Sequence, residues 1–164
     1  MAAPPRYRIV LAKEDFKFSV AHFTLFGRER AELLHGHNYR VSVELAGSEL
    51  DEQGLLVDIE VSKRAVRALC ARLDSRTLLP AASPGLSVAE ENGAVEVRFG
   101  DRLYRFPAAD VLALPLANTS MELLAGMFWS ELAGHLRGTR VEVLAVAVEE
   151  TAGQRCVYEA PLPA

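Results

Sequence analysis

The stretch LLHGHNYRVSVELAG, residues 33–47, places His35 and His37 at the start of an alternating run of apolar and polar residues. Such alternation predicts a β-strand with one buried face. The apolar positions of that face are Tyr39, Val41, Val43 and Leu45. Because successive strand side chains point to opposite faces, both histidines belong to this face and converge on one point in space. That arrangement suits a metal ion, although the H-x-H spacing alone also fits a polar strand end.

The composition indicates one domain, residues 1–164, with a substantial core. Half of the 164 residues (50%) are hydrophobic, and the formal net charge is −4 with scattered Lys and Arg. This charge pattern does not favour a nucleic-acid partner. Two cysteines, Cys70 and Cys156, are too few for a disulfide framework and fit core packing. The first twenty residues lack the apolar segment of a signal peptide or membrane span, so we expect a cytoplasmic protein without a membrane partner.

The remaining sequence predicts an antiparallel α+β domain with both helices on one face of the sheet. A strand pair around a turn near Lys13 to Asp15 precedes the histidine strand, and two strands end the chain. One helix is expected from about Ile59 to Leu73, and a second within LPLANTSMELLAGMFWSELAGHL. The prolines and glycine of DSRTLLPAASPGL end the first helix. The stretch SVAEENGAVEVRFGDRLYRFPAADV predicts a hairpin, with turn signals at N-G and G-D.

A third histidine, His22, ends another apolar strand face, which also carries Phe16, Phe18 and Val20. Catalytic zinc sites keep three protein ligands and an open fourth position, whereas structural sites close all four. The cysteines lie far from this cluster in the sequence. Three imidazoles without an evident fourth ligand therefore favour a catalytic zinc ion (Zn²⁺) bound by His22, His35 and His37.

Several motifs, in this order, resemble the 6-pyruvoyltetrahydropterin synthase family, which includes the 6-carboxytetrahydropterin synthases. They are FSVAHF, LHGHNYRVSVELAG, GLLVDI, NTSMELLA and VAVEET. The resemblance covers roughly residues 6–80 and 112–160 and leaves an insertion at about 82–113. It implies a tunnelling fold, in which an antiparallel four-stranded sheet carries two helices on one face. It also implies a barrel-forming oligomer, a homohexamer of two trimers with active sites between subunits, and zinc on the three histidines.

Two positions depart from the family pattern. The family has a cysteine shortly before H-G-H, but the loop RERAELL has none. Instead Glu32 precedes His35 by three residues, which resembles a subgroup that cuts the side chain of dihydroneopterin triphosphate to a 6-hydroxymethyl pterin. The family's Asp-His pair reads Asp74-Ser75 here. We expect Glu32 to be the catalytic base, with a solvated loop carboxylate as its alternative, and Asp74 to be a secondary proton carrier or orienter.

Three further residues match the family's substrate pocket. Glu150 in VEET corresponds to the glutamate that anchors the pterin, since one carboxylate accepts both the pterin amino group and the ring N–H. Ser120 and Glu122 correspond to the family's T-x-E, which helps to hold the substrate. Glu122 has a second possible role, because Thr119-x-x-Glu122 has the spacing of a helix capping box. The nearest cations for a triphosphate are Arg28, Arg30 and Arg40, each of which also fits an exposed face.

Together with the resemblance, these residues predict a zinc-dependent lyase that acts on 7,8-dihydroneopterin triphosphate and forms a 6-hydroxymethyl-dihydropterin or a related 6-substituted pterin. Synthesis of 6-carboxy- or 6-pyruvoyltetrahydropterin is one alternative, and the missing cysteine and histidine argue against it. A non-catalytic pterin-binding paralogue that kept its metal is the other. Glu32 favours the enzyme, whereas Ser75 favours the paralogue.

Overall fold

A computed structural model describes residues 6–163, and its main sheet is arranged around the histidine strand. In chain order the elements are β1 (Tyr7–Leu11), β2 (Lys17–His22), β3 (His35–Gly47), α1 (Ile59–Leu73), β4 (Arg76–Pro80), β5 (Ser87–Glu91), β6 (Ala94–Phe99), β7 (Arg102–Pro107), a 3₁₀ turn (Ala108–Asp110), β8 (Val111–Leu114), α2 (Met121–His135), β9 (Val143–Thr151) and β10 (Gln154–Pro161). The predicted α+β class is confirmed. Within the described residues no helix combines the length and apolar character needed to cross a membrane.

The main sheet has seven strands, in the order β10-β9-β3-β2-β4-β8, with β1 also paired to β3. The β2–β4 and β4–β8 pairs are parallel, whereas β3 is antiparallel to β1, β2 and β9. The predicted four-stranded antiparallel sheet is therefore wrong in strand number and partly in direction. The short apolar runs of β4 and β8 do not alternate, so the sequence carries no periodic signal for them.

Strands β1 and β2 do not pair with each other, so the predicted strand pair is wrong. Both pair antiparallel with β3, and the register on the two sides of the gap is Leu11↔Val43 and Lys17↔Arg40. Residues 12–16 therefore lie opposite only two residues of β3. The surplus forms a bulge, in which the Phe16 N–H donates to the carbonyl of Lys13 at 3.1 Å. The bulge lets both strands keep their apolar side chains toward the same core.

Both helices pack on the apolar face of the main sheet. The largest buried side chains of this core include Phe16, Phe18, Tyr39, Leu45, Leu73, Leu124 and Phe128. The Phe18 ring stacks on Tyr39 at 5.0 Å and on Phe128 at 5.8 Å, which joins two central strands to α2. Helix α1 begins after Asp58, whose carboxylate accepts the Glu60 N–H at 2.9 Å, and it has the predicted bounds. The core therefore fixes the strand face to which the histidines belong.

The segment predicted as an insertion, about residues 82–113, contains a separate three-stranded sheet, β5-β6-β7, rather than a single hairpin, and we keep the name insertion for it. Both predicted turns are present, with Gly93 at φ 74° and Gly100 at φ 54°. Residues of β6 and β7 pack on a second apolar cluster that also includes Phe23, Leu25 and Leu79. This cluster lies directly after the histidine end of β2, so the insertion packs beside the candidate site.

Gly47 at the end of β3 provides a test of this packing. An added Cβ would overlap the carbonyl oxygen of Arg140 and lie 2.7 Å from Leu56 Cδ1. We predict that Gly47→Ala lowers the free energy of unfolding by about 1–3 kcal/mol through overpacking. Gly134→Ala is the control, because nothing lies within 4 Å of its added Cβ. Gly134 lies in the last turn of α2, so alanine should raise stability there by no more than the roughly 0.5–1 kcal/mol that it contributes in a helix interior. Urea denaturation measures both changes, and equal stability of the two variants would contradict the packing.

Candidate metal centre

The three predicted histidines lie together where β2 ends and β3 begins. His22 is directly opposite His35 in the β2–β3 register, and His37 follows on the same strand face. Their ligand nitrogens all lie within 4.8 Å of one another, and His35 Nε2 is 2.8 Å from His37 Nε2. His22 is fully buried, whereas the other two are partly exposed. The cluster therefore has an open side toward solvent.

Backbone carbonyls orient two of these rings. His22 Nδ1 lies 3.2 Å from the carbonyl oxygen of Thr119, and His35 Nδ1 lies 2.7 Å from that of Leu33. A carbonyl only accepts hydrogen bonds, so each Nδ1 carries the proton and each Nε2 presents its lone pair to the cluster. Lone pairs on closely spaced imidazole nitrogens are a donor set that fits a divalent metal such as zinc.

Burial keeps His22 ready to bind a metal. Burial lowers the pKa of the His22 imidazole, and the charge of His35 lowers it further, whereas Glu150 acts in the opposite direction. The net direction is downward, which favours neutral imidazole at pH 7. Only the neutral ring can donate its lone pair to a metal.

Glu32 lies beside the cluster, on the loop between β2 and β3. One of its carboxylate oxygens is 3.9 Å from His35 Nε2 and accepts the Thr24 N–H at 2.9 Å. Partial burial acts to raise the pKa of Glu32, but the hydrogen bonds from Thr24 and the charges of His35 and His22 together hold it below its usual value. Glu32 is therefore a carboxylate at neutral pH, at the open side of the cluster.

Glu150 approaches the cluster from β9. Its Oε1 is 3.4 Å from both His22 Nε2 and His37 Nε2, and its Oε2 accepts a hydrogen bond from Gln154 at 3.1 Å. The Tyr39 hydroxyl donates to the same Oε1 at 2.7 Å and lies 3.1 Å from His22 Nε2. Burial raises the pKa of Tyr39, and Glu150 raises it further, so the hydroxyl stays protonated and keeps donating. The structure thus brings Glu150 and Glu32 to the same three histidines.

Two residues of this site have contacts that the sequence pattern does not predict. The Tyr39 ring lies on the apolar face, as expected, but its hydroxyl reaches the histidines. This contact is consistent with the sequence, because Tyr39 follows His37 by two residues on the same strand face. Thr119 is expected to be a helix cap. It is instead buried, and its hydroxyl donates to the carbonyl of Phe23. Nothing in the local sequence indicated that contact.

Other predicted site residues make their contacts elsewhere within this chain. The Asp74 carboxylate accepts the backbone N–H of Ser19 at 2.7 Å, where β4 begins to pair with β2. Ser120 is the N-cap of α2, which makes the predicted Thr119 capping box wrong by one position. Glu122 is exposed in the first turn of α2. Burial raises the pKa of the Cys156 thiol in β10, and the charge of Glu122 raises it further.

The candidate cations are also dispersed. Arg28 is exposed, and the Arg30 guanidinium lies 4.6 Å above the Phe26 ring. Arg40 alternates with His37 along β3 and so faces the other side of the sheet, opposite Glu149. Within one chain Arg40 therefore does not point toward the histidines, which fits its alternative as an exposed-face arginine.

Comparisons by sequence and by shape agree. Residues 11–161 match the family model described as 6-pyruvoyl tetrahydropterin synthase. A Methanocaldococcus jannaschii protein, provisionally named 6-carboxy-5,6,7,8-tetrahydropterin synthase, is 28% identical over 145 residues, covering 87% of this chain and 88% of that protein. The 6-pyruvoyl tetrahydropterin synthase structure from Plasmodium vivax has a TM-score of 0.90 at 28% identity, covering 96% of this chain and 99% of that one.

A second structure of the P. vivax enzyme, with a TM-score of 0.89 and the same 28% identity and coverage of 96% and 99%, carries alanine in place of a glutamate described as a catalytic residue. This chain therefore has the fold of these two solved 6-pyruvoyl tetrahydropterin synthase structures. Since the family model spans nearly all of the described residues, this chain belongs to the 6-pyruvoyl tetrahydropterin synthase family.

Proposed function

We propose that this protein is a zinc-dependent lyase that acts on 7,8-dihydroneopterin triphosphate and releases a 6-hydroxymethyl-dihydropterin. The observation that carries the proposal is the position of Glu32, 3.9 Å from His35 in a loop without cysteine. The P. vivax enzyme with a replaced catalytic glutamate supports it, and we take that glutamate as the counterpart of Glu32. His22, His35 and His37 would hold zinc, which supplies Lewis acidity that lowers the pKa of a bound hydroxyl.

Glu32 would work as a single base that both removes and returns a proton. It accepts the proton of the hydroxyl on the second side-chain carbon, and the bond between the first and second carbons breaks to leave an aldehyde. The electron pair remains on the first carbon, next to the pterin ring, and Glu32 returns the proton there. One carboxylate suffices for both transfers, so the absence of a histidine after Asp74 is compatible with this reaction.

Glu150 would anchor the pterin. A carboxylate accepts the ring N–H and the amino group side by side, and the Tyr39 hydroxyl holds its Oε1 in position at 2.7 Å. The anchor and the base approach the histidines from different elements, β9 and the loop before β3. The substrate side chain would therefore lie between Glu32 and the ring anchored by Glu150.

Asp74, Ser120 and Glu122 would complete the site from a neighbouring subunit. Within one chain Asp74 and Ser120 bind the backbone N–H groups of Ser19 and Leu123 rather than a histidine, and Glu122 is exposed. We therefore propose a barrel-forming homohexamer with active sites between subunits, as the family resemblance implies. Each subunit would be a single domain, residues 1–164. The two cysteines are free thiols, which fits a cytoplasmic protein.

Synthesis of a 6-carboxytetrahydropterin is the second candidate, favoured by the name of the M. jannaschii relative. The two reactions form different products, a 6-carboxy and a 6-hydroxymethyl pterin, which can be distinguished by mass. Incubation of the zinc-loaded protein with 7,8-dihydroneopterin triphosphate, followed by mass analysis, separates them. It also separates both from a non-catalytic paralogue, which would return the substrate unchanged.

The anchoring role of Glu150 gives one prediction. We expect Glu150→Ala to weaken pterin binding by about 2–5 kcal/mol, because the donors of the ligand lose a charged acceptor in a partly buried site. Zinc content should remain that of the wild type. Titration calorimetry with dihydroneopterin measures the affinity, and Glu149→Ala is the matched control on the neighbouring, opposite-facing position. Near-normal affinity in Glu150→Ala would show that another group is the anchor.

The role of Glu32 gives a second prediction. We expect Glu32→Gln to lower kcat by about 10²–10⁴-fold, the usual contribution of a general base, while zinc and pterin binding are retained. Glu29→Gln, on the exposed part of the same loop, should behave like the wild type. Product formation followed by mass spectrometry measures both. Undiminished turnover in Glu32→Gln would remove Glu32 from the mechanism.

A further inference from the structure

The loop that carries Glu32, residues 23–34, folds back on itself and connects two of the histidines. We call it the Glu32 loop. Its N-terminal end follows His22, and its C-terminal end precedes His35. The Glu32 N–H donates to the carbonyl of Thr24 at 2.9 Å, and the Phe26 N–H donates to that of Arg30 at 2.8 Å. These few backbone bonds do not by themselves fix the loop relative to the rest of the protein.

The insertion supplies a surface for the loop. The Tyr104 ring of β7 stacks on Phe23 at 5.5 Å with an interplanar angle of 23°, immediately after His22. Further apolar contacts in this cluster join Leu25, Ala31 and Leu34 of the loop to Val95, Val97, Phe99 and Phe106 of the insertion. Apolar packing resists separation of the two parts, but it does not by itself set the orientation of the backbone around Glu32.

Arg102 of β7 makes the polar contact between the insertion and the loop. Its Nη1 donates to the carbonyl oxygen of Glu32 at 2.5 Å, and its Nη2 donates to that of Ala31 at 3.2 Å. A planar guanidinium that binds two consecutive carbonyls fixes the orientation of both peptide groups. The bonds are charge-assisted and partly buried, so they are stronger than neutral surface bonds.

We propose that Arg102 is a positioning residue, through which the insertion fixes the Glu32 carboxylate beside the histidines. This inference rests on the proposed role of Glu32 as the base. The carbonyl that Arg102 binds is one bond from the Cα of Glu32, and the Thr24 N–H binds the carboxylate at the other end of the residue. Glu32 is thus held at its backbone by the insertion and at its side chain by its own loop.

The first experiment measures the loop without any reference to activity. Hydrogen exchange of Arg102→Ala should show the amides of Glu32 and Phe26 exchanging about tenfold faster than in the wild type, because two stabilising hydrogen bonds of the loop are lost. The amide of Val41 in β3 should not change. Arg105→Ala, exposed on the same strand, is the control. Unchanged exchange in the loop would overturn the proposal.

The second experiment uses the variant in two backgrounds. In the otherwise wild-type protein, Arg102→Ala should lower kcat about tenfold with little change in KM or zinc content, and Arg102→Lys, which retains the charge but not the planar fork, should recover only part of the loss. In the Glu32→Gln background the same change should cause no further loss, because Arg102 acts through Glu32. A full tenfold loss in that background would overturn the proposal.

The two readouts separate the failure of this inference from that of the proposed reaction. If the wild type shows no turnover but Arg102→Ala still speeds exchange in the Glu32 loop, the lyase reaction is refuted. The catalytic role of Arg102 as a positioning residue is then refuted with it. If the wild type is active but Arg102→Ala changes neither kcat nor hydrogen exchange in the Glu32 loop, only the positioning role of Arg102 is refuted. If Arg102→Ala does not fold, hydrogen exchange and kcat are both measured on Arg102→Lys.

Discussion

The pairing of β2 with β3 is the constraint on which the rest of the site depends. It sets His22 opposite His35 and leaves His37 on the same face, so that three imidazoles converge within 4.8 Å. A register slip of one residue would turn the strand's histidines to the opposite face. The same face carries Phe18 and Tyr39 into the main core, and therefore the packing that stabilises the fold also maintains the register.

The cluster lies between the two apolar cores of the chain. The main core fixes β3 and β9, and through them Tyr39 and Glu150. The second core fixes the Glu32 loop against the insertion. The proposed base, Glu32, and the proposed anchor, Glu150, thus have separately packed supports that can hold them in a constant position relative to the histidines, as preorganised acid–base chemistry requires. The carbonyls that orient His22 and His35 also come from two segments, Thr119 just before α2 and Leu33 in the Glu32 loop.

The sequence allowed prediction of features that repeat with a short period. Strand alternation identified the three histidines and their common face, and helical spacing located α1. Features that depend on distant pairing left no such signal, namely the parallel strands β4 and β8, the bulge between β1 and β2, and the contact of Arg102 with the Glu32 loop. No contact within one chain tests the predicted roles of Asp74, Ser120 and Glu122, which remain predictions.

Zinc K-edge X-ray absorption of the zinc-loaded protein tests the three-histidine centre. We expect about one zinc ion per chain with three imidazole nitrogens at about 2.0–2.1 Å, an oxygen ligand in the open position and no sulfur. His37→Ala should lose most of the metal, whereas His135→Ala, at the end of α2, should retain it. A sulfur ligand at about 2.3 Å, or full zinc occupancy in His37→Ala, would contradict a three-histidine centre.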